Sequence, residues 1–360
     1  MTFLTANAVA PSKSLKASTL APWVVWALAA AALVLSYLVF GVVKALGGGN
    51  VLVLVGWFVF FLLVLGGVSY AVEGRREARN RVATSAIYSA LVLALLPLVS
   101  IIIVLISKGA DRLSADFFTH SMSGITAFDA NGGIYHAIVG TIEQVGIATI
   151  LTVPLGILGA IYIVEYGRGR LASAIRFFVD VMTGIPSIVA GLFILAFWVL
   201  LVTPLWNGGR GGYSGFAAAL ALSVLMLPTV TRASEEMLRL VPAALREGSY
   251  ALGVPKWKTI MRIVLPTALP GIITGVMLAV ARAAGETAPV LLVAGGFASI
   301  NFNPFVGNQE SLSLYVYQQA GLASKYGAPR AYAAALTLVT FVLVLTVIAK
   351  LLARRNKLAK

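Results

Sequence analysis

A chain of 360 residues with 59% hydrophobic and only 11% charged side chains is suited to lipid rather than water, since a soluble domain carries about 25% charge. Its mean hydropathy is +0.94, its net charge +14 and its pI near 10.1. That positive excess fits loops along one membrane face better than nucleic acid binding. The absence of Cys excludes disulfides and thiolate chemistry, and the two histidines, His120 and His136, are poor material for a metal site.

Apolar runs reach the roughly 20 residues that span a bilayer as helix, and they are continuous rather than alternating, which excludes a sheet barrel. The predicted fold is an all-α polytopic membrane protein with about eight spans, near 22–44, 51–72, 85–107, 137–163, 177–203, 213–231, 266–290 and 331–353. Lys13 and Lys16 precede the first run. A signal peptide core would be 7–15 residues; this run is longer and another soon follows, so it reads as a retained helix. Gly47-Gly48-Gly49-Asn50 is a tight turn between the first two spans, and EGRREARNR, residues 73–81, reads as a solvated cytoplasmic linker. The long loops are 108–136, 232–265 and 291–330. Residues 1–84 form an N-terminal segment with two added spans, 85–353 the main transmembrane domain, and 354–360 a basic cytoplasmic tail.

Alternate sides of this arrangement hold 20 and six of the Lys and Arg residues, with Arg282 left inside a span. The positive-inside rule makes the richer side cytoplasmic, together with both termini and the 232–265 loop. The chain has no P-loop, HExxH or nucleophile elbow, and its carboxylates do not cluster as a hydrolytic pair. An intramembrane enzyme is therefore poorly supported. A path through the membrane, energised by an ion gradient or by a partner, fits better.

Within the 232–265 loop, Thr231–Leu240 is helix-prone. Pro242 suits the first position of a second helix, Gly253 its C-terminal cap, and Pro255 the restart of a third through Lys256, Trp257, Ile260 and Ile263. Pro266 marks re-entry into the membrane. The result is a compact helix–turn–helix that places Leu252 and Trp257 beside charges. Such an element either lies on anionic lipid or docks a protein.

The next span carries an ionisable pair, which costs roughly 2.5–3.5 kcal/mol per charge in hydrocarbon and so marks function by default. Arg282 lies 12 residues past Pro270, about 18 Å at 1.5 Å per residue, near the middle of a core roughly 30 Å thick. Glu286 is expected one turn further along the same face, with the Thr287 hydroxyl beside it. Arg282 offers planar donors to an anion, while Glu286 orients it or balances its charge. The alternative is a structural ion pair locking this helix to a neighbour. Gly271 and Gly275 make a small-xxx-small face for helix approach. Pro289 or Gly295-Gly296 is expected to bend or end the helix. Asn207-Gly-Gly-Arg210-Gly-Gly is a flexible turn or, less plausibly, a backbone nest for an anion.

Glu247, then Gly253, then Ile263-Val264-Leu265-Pro266 resemble the EAA signature of ABC-importer permeases: E-A-A, three residues, G, nine residues, I-x-L-P. Gly248 and Ser249 depart from the two alanines but are also small. ARAAGETAP around Arg282 resembles the phosphate-specific members, whose sulfate and molybdate counterparts read GEFG. PLGILGAIYIVEY at 154–166, GIPSIVAGLF at 184–193, LPTVTRASEEMLRLVP at 227–242 and QESLSLYVYQQA at 309–320 agree with that family, and GETAP with its A-type subunit. The resemblance covers about 85–353.

It implies a type I ABC importer permease core of six helices plus an N-terminal hairpin, serving import of inorganic phosphate. It also implies no ATPase site or cofactor in this chain. ATP and magnesium would be bound by a dimeric ATPase subunit, docked on Glu247, Leu252, Gly253 and Trp257. The other implied partners are a second, C-type permease subunit and an extracytoplasmic phosphate-binding protein, in a bacterial cytoplasmic membrane with no nucleic acid role. Arg282, Glu286 and Thr287 would then line the substrate pathway. A permease for sulfate, molybdate or phosphonate, or a secondary anion transporter coupling protons through Glu286, are the alternatives. The lack of an evident inverted repeat argues against the last.

Overall fold

The computed structural model describes residues 20–43, 50–167, 169–205 and 211–355. The Gly-rich turn at 47–49, the 206–210 part of the Asn207–Gly212 tract and residues 356–360 of the tail lie outside the described residues, as do Lys13 and Lys16. The chain divides into two compact units, residues 1–101 and 102–360.

In the first unit α1 (Pro22–Ser36) continues as a π-helix to Val42 and packs against α2 (Asn50–Glu73). Two side-chain bonds to backbone carbonyls join them: Ser36 Oγ donates to Val53 O at 2.5 Å and Trp57 Nε1 to Ala29 O at 2.8 Å. The expected solvated linker is instead a single-residue turn. Gly74, with φ +89°, reverses the chain, and α3 (Arg75–Gly109) begins at once. The Glu73 side chain is only 2% exposed, not solvated. Its carboxylate accepts from Leu20 N at 2.5 Å, Ser69 Oγ at 2.6 Å and Arg81 Nη2 at 2.7 Å, which ties both ends of the hairpin to the start of α3. A carboxylate with three donors tolerates burial that an unpartnered one would not.

The second unit continues through α4 (Ala115–Thr119), α5 (Tyr135–Ile161), α6 (Arg170–Thr183), α7 (Ser187–Ile194), α8 (Gly215–Arg239), α9 (Ala243–Ala251), α10 (Lys256–Thr259), α11 (Leu265–Ala284), α12 (Ala288–Val293), α13 (Leu312–Gly321) and α14 (Gly327–Arg355). Among the described residues there is no sheet, only two isolated bridges, and eight helical stretches are long and apolar enough to cross a membrane. The chain is a multi-pass membrane protein.

Helix α8 is the hub, with α5 and α11 on its flanks and α7 and α12 against its first half. Its Ala217, Ala218, Ala221, Leu222 and Met226 meet Val145 and Ala148 of α5, Ile194 of α7, Val280 and Ala283 of α11, and Val290 and Val293 of α12. Small residues make this closeness possible. Gly271 and Gly275 of α11 sit on Met237 and Ala233 of α8, with no room for a Cβ, and Gly156 of α5 sits on Val230. In lipid, where apolar burial does not drive helices together, such backbone approach supplies the packing energy.

The sequence-based spans need two corrections. The run 177–203 is not one helix. α6 ends at Thr183, Gly184 caps it, and Pro186 precedes α7, because a residue before proline is driven out of the α region. The run 266–290 is likewise two pieces: α11 stops at Ala284 under a Gly285 cap, and α12 starts at Ala288. Pro266 begins no new helix, because helix runs unbroken from Lys256 through a π segment, Ile260–Val264, into α11.

The loop 108–136 is held at the far end of the bundle from α9 and α10. Arg330 donates to Asp129 O and Asn131 O, Arg112 to Ala130 O and Ser324 to Ala127 O.

Candidate functional site

The break after α11 brings Arg282, Glu286 and Thr287 together, though not as a continuous helical face. Gly285 N–H donates to Arg282 O at 3.1 Å and Glu286 N–H to Ala283 O at 3.2 Å, so the backbone closes on itself before Thr287 caps α12. Glu286 thus lies in a turn. Neither expected breaker ends the helix. Pro289 sits in the first turn of α12, and Gly295 and Gly296, with φ +79° and +60°, end α12 instead. Arg282 occupies the last turn of α11, nearer the helix end than the mid-span position expected from Pro270.

Arg282 is 64% exposed and its Nε lies 3.4 Å from Glu286 Oε1, while Glu286 is only 17% exposed. The pair lies within one turn of chain, at the junction of α11 and α12. The exposed guanidinium keeps donors that this one long contact does not use. The Thr287 side chain makes no capping bond to α12. A cavity of about 690 Å³ is lined by Met237, Thr267, Gly271 and Val347, at the other end of α11 from Arg282.

The second candidate region is the α9–α10 loop. Pro242 is the N-cap of α9 rather than its first helical residue, and Pro255 plays the same part for α10. Gly253 has φ +73°. Its N–H donates to Tyr250 O at 2.9 Å and Val254 N–H donates to Ser249 O at 3.2 Å. That is a Schellman cap, which demands the left-handed conformation glycine adopts without strain. Ser249 is buried and its hydroxyl meets Thr259 Oγ1 at 2.8 Å, pinning α9 to α10. A serine at an alanine position therefore contributes a bond the alanine could not. Glu247 is exposed, Leu252 is 84% exposed and Trp257 59% exposed, so the residues singled out for docking form the outer surface of the loop.

Sequence reasoning missed the anchor beneath this loop. Arg246 donates from Nε and Nη2 to Glu165 Oε1 at 3.0 and 2.8 Å, from Nη1 to Val241 O at 2.6 Å and from Nη2 to Leu238 O at 2.9 Å. Lys256 Nζ donates to the Glu165 carbonyl and lies 4.7 Å from the Tyr166 ring centre. Glu235, on α8, is buried among Arg176 at 3.9 Å, Arg232 at 2.9 Å and Arg239 at 2.6 Å. A lone acidic residue at the end of an apolar run, followed by clustered arginines in the next loop, was the available signal.

At the far end, Glu310 is buried before α13, and burial pushes its carboxyl up to about 8 despite bonds from Ser311 N–H, Phe297 N–H and the Gln318 side chain. Tyr315 beside it is pushed up to about 12 by burial. Gln309 donates to Glu143 Oε2 at 2.5 Å, and Gln144 donates to Gln309 Oε1 at 3.1 Å.

Residues 152–358 match the family described as binding-protein-dependent transport system inner membrane component. The phosphate transport system permease protein PstA 1 of Mycobacterium tuberculosis is 48% identical over 271 residues, covering 74% of this chain and 86% of the relative. PstA of Haemophilus influenzae is 37% identical over 285 residues, covering 78% of this chain and 96% of the relative. Among solved structures, a chain of a bacterial alginate ABC transporter in complex with alginate-bound periplasmic protein aligns with TM-score 0.56 at 17% identity. That alignment covers 77% of this chain and 95% of the other, and the likeness is one of fold.

Proposed function

This chain belongs to the binding-protein-dependent transport system inner membrane component family, within which it groups with the PstA permeases, and from that premise we propose that it forms half of the membrane path of an ATP-driven importer of inorganic phosphate. The single observation that carries the substrate reading is the exposed Arg282 guanidinium at the α11–α12 break, with Glu286 at 3.4 Å as its resting counter-charge. An arriving oxyanion exchanges that long contact for bidentate donation from Arg282, and Thr287 supplies a hydroxyl at the edge of the site.

In this reading the remaining parts lie in other chains. A C-type permease supplies the other half of the path. Two ATPase subunits bind ATP and magnesium and dock on Glu247, Leu252, Gly253 and Trp257, and an extracytoplasmic binding protein delivers phosphate. The protein sits in a bacterial cytoplasmic membrane with both termini inside. The charge asymmetry supports α9 and α10 on the cytoplasmic side. Their exposed apolar residues on a locally braced loop support a protein partner there. Closure of the ATPase would move this loop and switch access to Arg282, with no bond broken in this chain.

Arg282→Gln tests the substrate role in proteoliposomes holding the whole transporter. Phosphate uptake is expected to vanish while the ATPase still copurifies. Wild-type uptake by that variant refutes the assignment, and uptake that survives ATP depletion refutes the energy source. Competition by sulfate or molybdate as strong as by phosphate would reassign the anion.

A further inference from the structure

The loop proposed to receive the ATPase and the break that carries Arg282 lie at opposite ends of the bundle, so something must connect them. Helix α5 is 27 residues long, about 40 Å. It is bonded at its inner end to the loop and at its outer end to the segment that holds the break.

At the inner end, Arg246 of α9 places two donors on Glu165, a carboxylate only 6% exposed in the π segment that ends α5, while the same guanidinium holds two carbonyls at the end of α8. Lys256 of α10 adds a bond to the Glu165 carbonyl. Both helices of the loop therefore grip one point. At the outer end, Thr141 Oγ1 of α5 accepts the Leu312 N–H at 2.8 Å, and Gln144 Nε2 donates to Glu310 O at 3.3 Å. Gly140 packs against that carbonyl with no room for a Cβ. One residue beyond Leu312, Ser313 Oγ donates to the backbone carbonyl of Glu286 at 2.9 Å.

We propose that Glu165 is a positioning residue for transport: movement of the α9–α10 loop is taken up by Glu165 through Arg246, carried along α5, and delivered through Thr141 and Ser313 to the Glu286 turn that sets Arg282. The assignment rests on the transport reading above. A buried, multiply bonded ion pair suits this task because it has few alternative arrangements, so displacement of one partner displaces the other. Spatial continuity by itself is not coupling, so the test must measure coupling.

The test uses the complete transporter in proteoliposomes, with inorganic phosphate as the probe, and reads phosphate imported per ATP hydrolysed. Glu165→Gln preserves shape and removes the charge at one end of α5; Thr141→Val removes one hydroxyl at the other. Each is expected to lower the ratio about tenfold, within the usual range for linked sites. The double variant should lose no more than the worse single, because both cut one line. Hydrogen exchange at the Leu312 amide in the full-length chain alone should accelerate several-fold in Glu165→Gln, a readout that needs no ATPase. A wild-type ratio in both single variants, losses that multiply in the double, or unchanged exchange at Leu312 overturns the proposal. A wild-type complex that hydrolyses ATP without importing phosphate, alongside accelerated Leu312 exchange, instead refutes the transport reading and leaves the α5 connection standing.

Discussion

Gly253 offers a clean separation of backbone from packing energy. Its φ of +73° lies where an L-residue pays about 1–2 kcal/mol for the clash of Cβ with the following carbonyl. A Cβ added there meets nothing within 4 Å, so no steric repacking enters the sum. Gly253→Ala should therefore cost about 1–2 kcal/mol from backbone strain alone. The cost falls on the cap that joins α9 to α10, so it shifts the loop away from its capped, closed form by about 5–30-fold. Apparent affinity for the ATPase falls by the same factor if only the closed loop binds. Gly253→Asn, whose side chain tolerates the left-handed region, should recover much of the loss despite its greater bulk. The measurement is ATPase binding to the detergent-solubilised permease pair, titrated for each variant. An asparagine variant no better than alanine would show that side-chain volume, not φ, limits the position, and would refute the reasoning.

Two further outcomes follow from packing and burial. Gly275→Ala forces a methyl into Ala233 of α8 and should cost about 1–3 kcal/mol, seen as a Tm several degrees lower in detergent, whereas Gly248→Ala, with open space at its Cβ in α9, should be neutral or stabilising. Glu310 has its carboxyl raised from 4.5 to about 8, so the folded chain holds a proton that the unfolded chain releases between those values. Its contribution is complete below pH 4.5 and is lost as pH rises through 8. Thermal stability of the chain in detergent should fall between pH 4.5 and 8, and Glu310→Gln should flatten the dependence; a wild-type profile that matches the Glu310→Gln profile across that range counts against the buried neutral carboxyl.

The fold was largely legible because hydrocarbon imposes a simple rule on sequence. Long apolar runs have few options besides helix, which is why the spans near 137–163, 213–231 and 331–353 overlap α5, α8 and α14. The helix–turn–helix with its Gly253 cap was legible for a different reason, since only a few residue types suit a left-handed cap. The errors cluster where apolarity continues across a backbone break. Nothing in the hydropathy of 177–203 distinguishes a helix from two helices separated by Gly184 and Pro186. In 266–290, Pro289 drew attention as a breaker although proline is at home in a first helical turn; Gly285, three residues past Arg282, was the true stop. Glu73 was misread for the reverse reason. A charged string looks solvated, and only the fold brings Leu20, Ser69 and Arg81 to one carboxylate.

The Arg282 site depends on that same unread break. Had α11 run on to Pro289, Glu286 would sit one turn above Arg282 on a helix face, an ordinary i,i+4 pair whose geometry is fixed by 3.6 residues per turn. With the helix closed at Gly285, Glu286 is held instead by its backbone: its N–H goes to Ala283 O and its carbonyl receives Ser313 Oγ. The turn that carries the carboxylate is thus tied to α11 on one side and to α13 on the other. A guanidinium on α11 and a counter-charge in a turn that α13 also holds form an arrangement that relative motion of α11 and α13 can open or close, which a single rigid helix cannot do. The departure from helical continuity is thus the feature that would make the proposed anion contact at Arg282 adjustable.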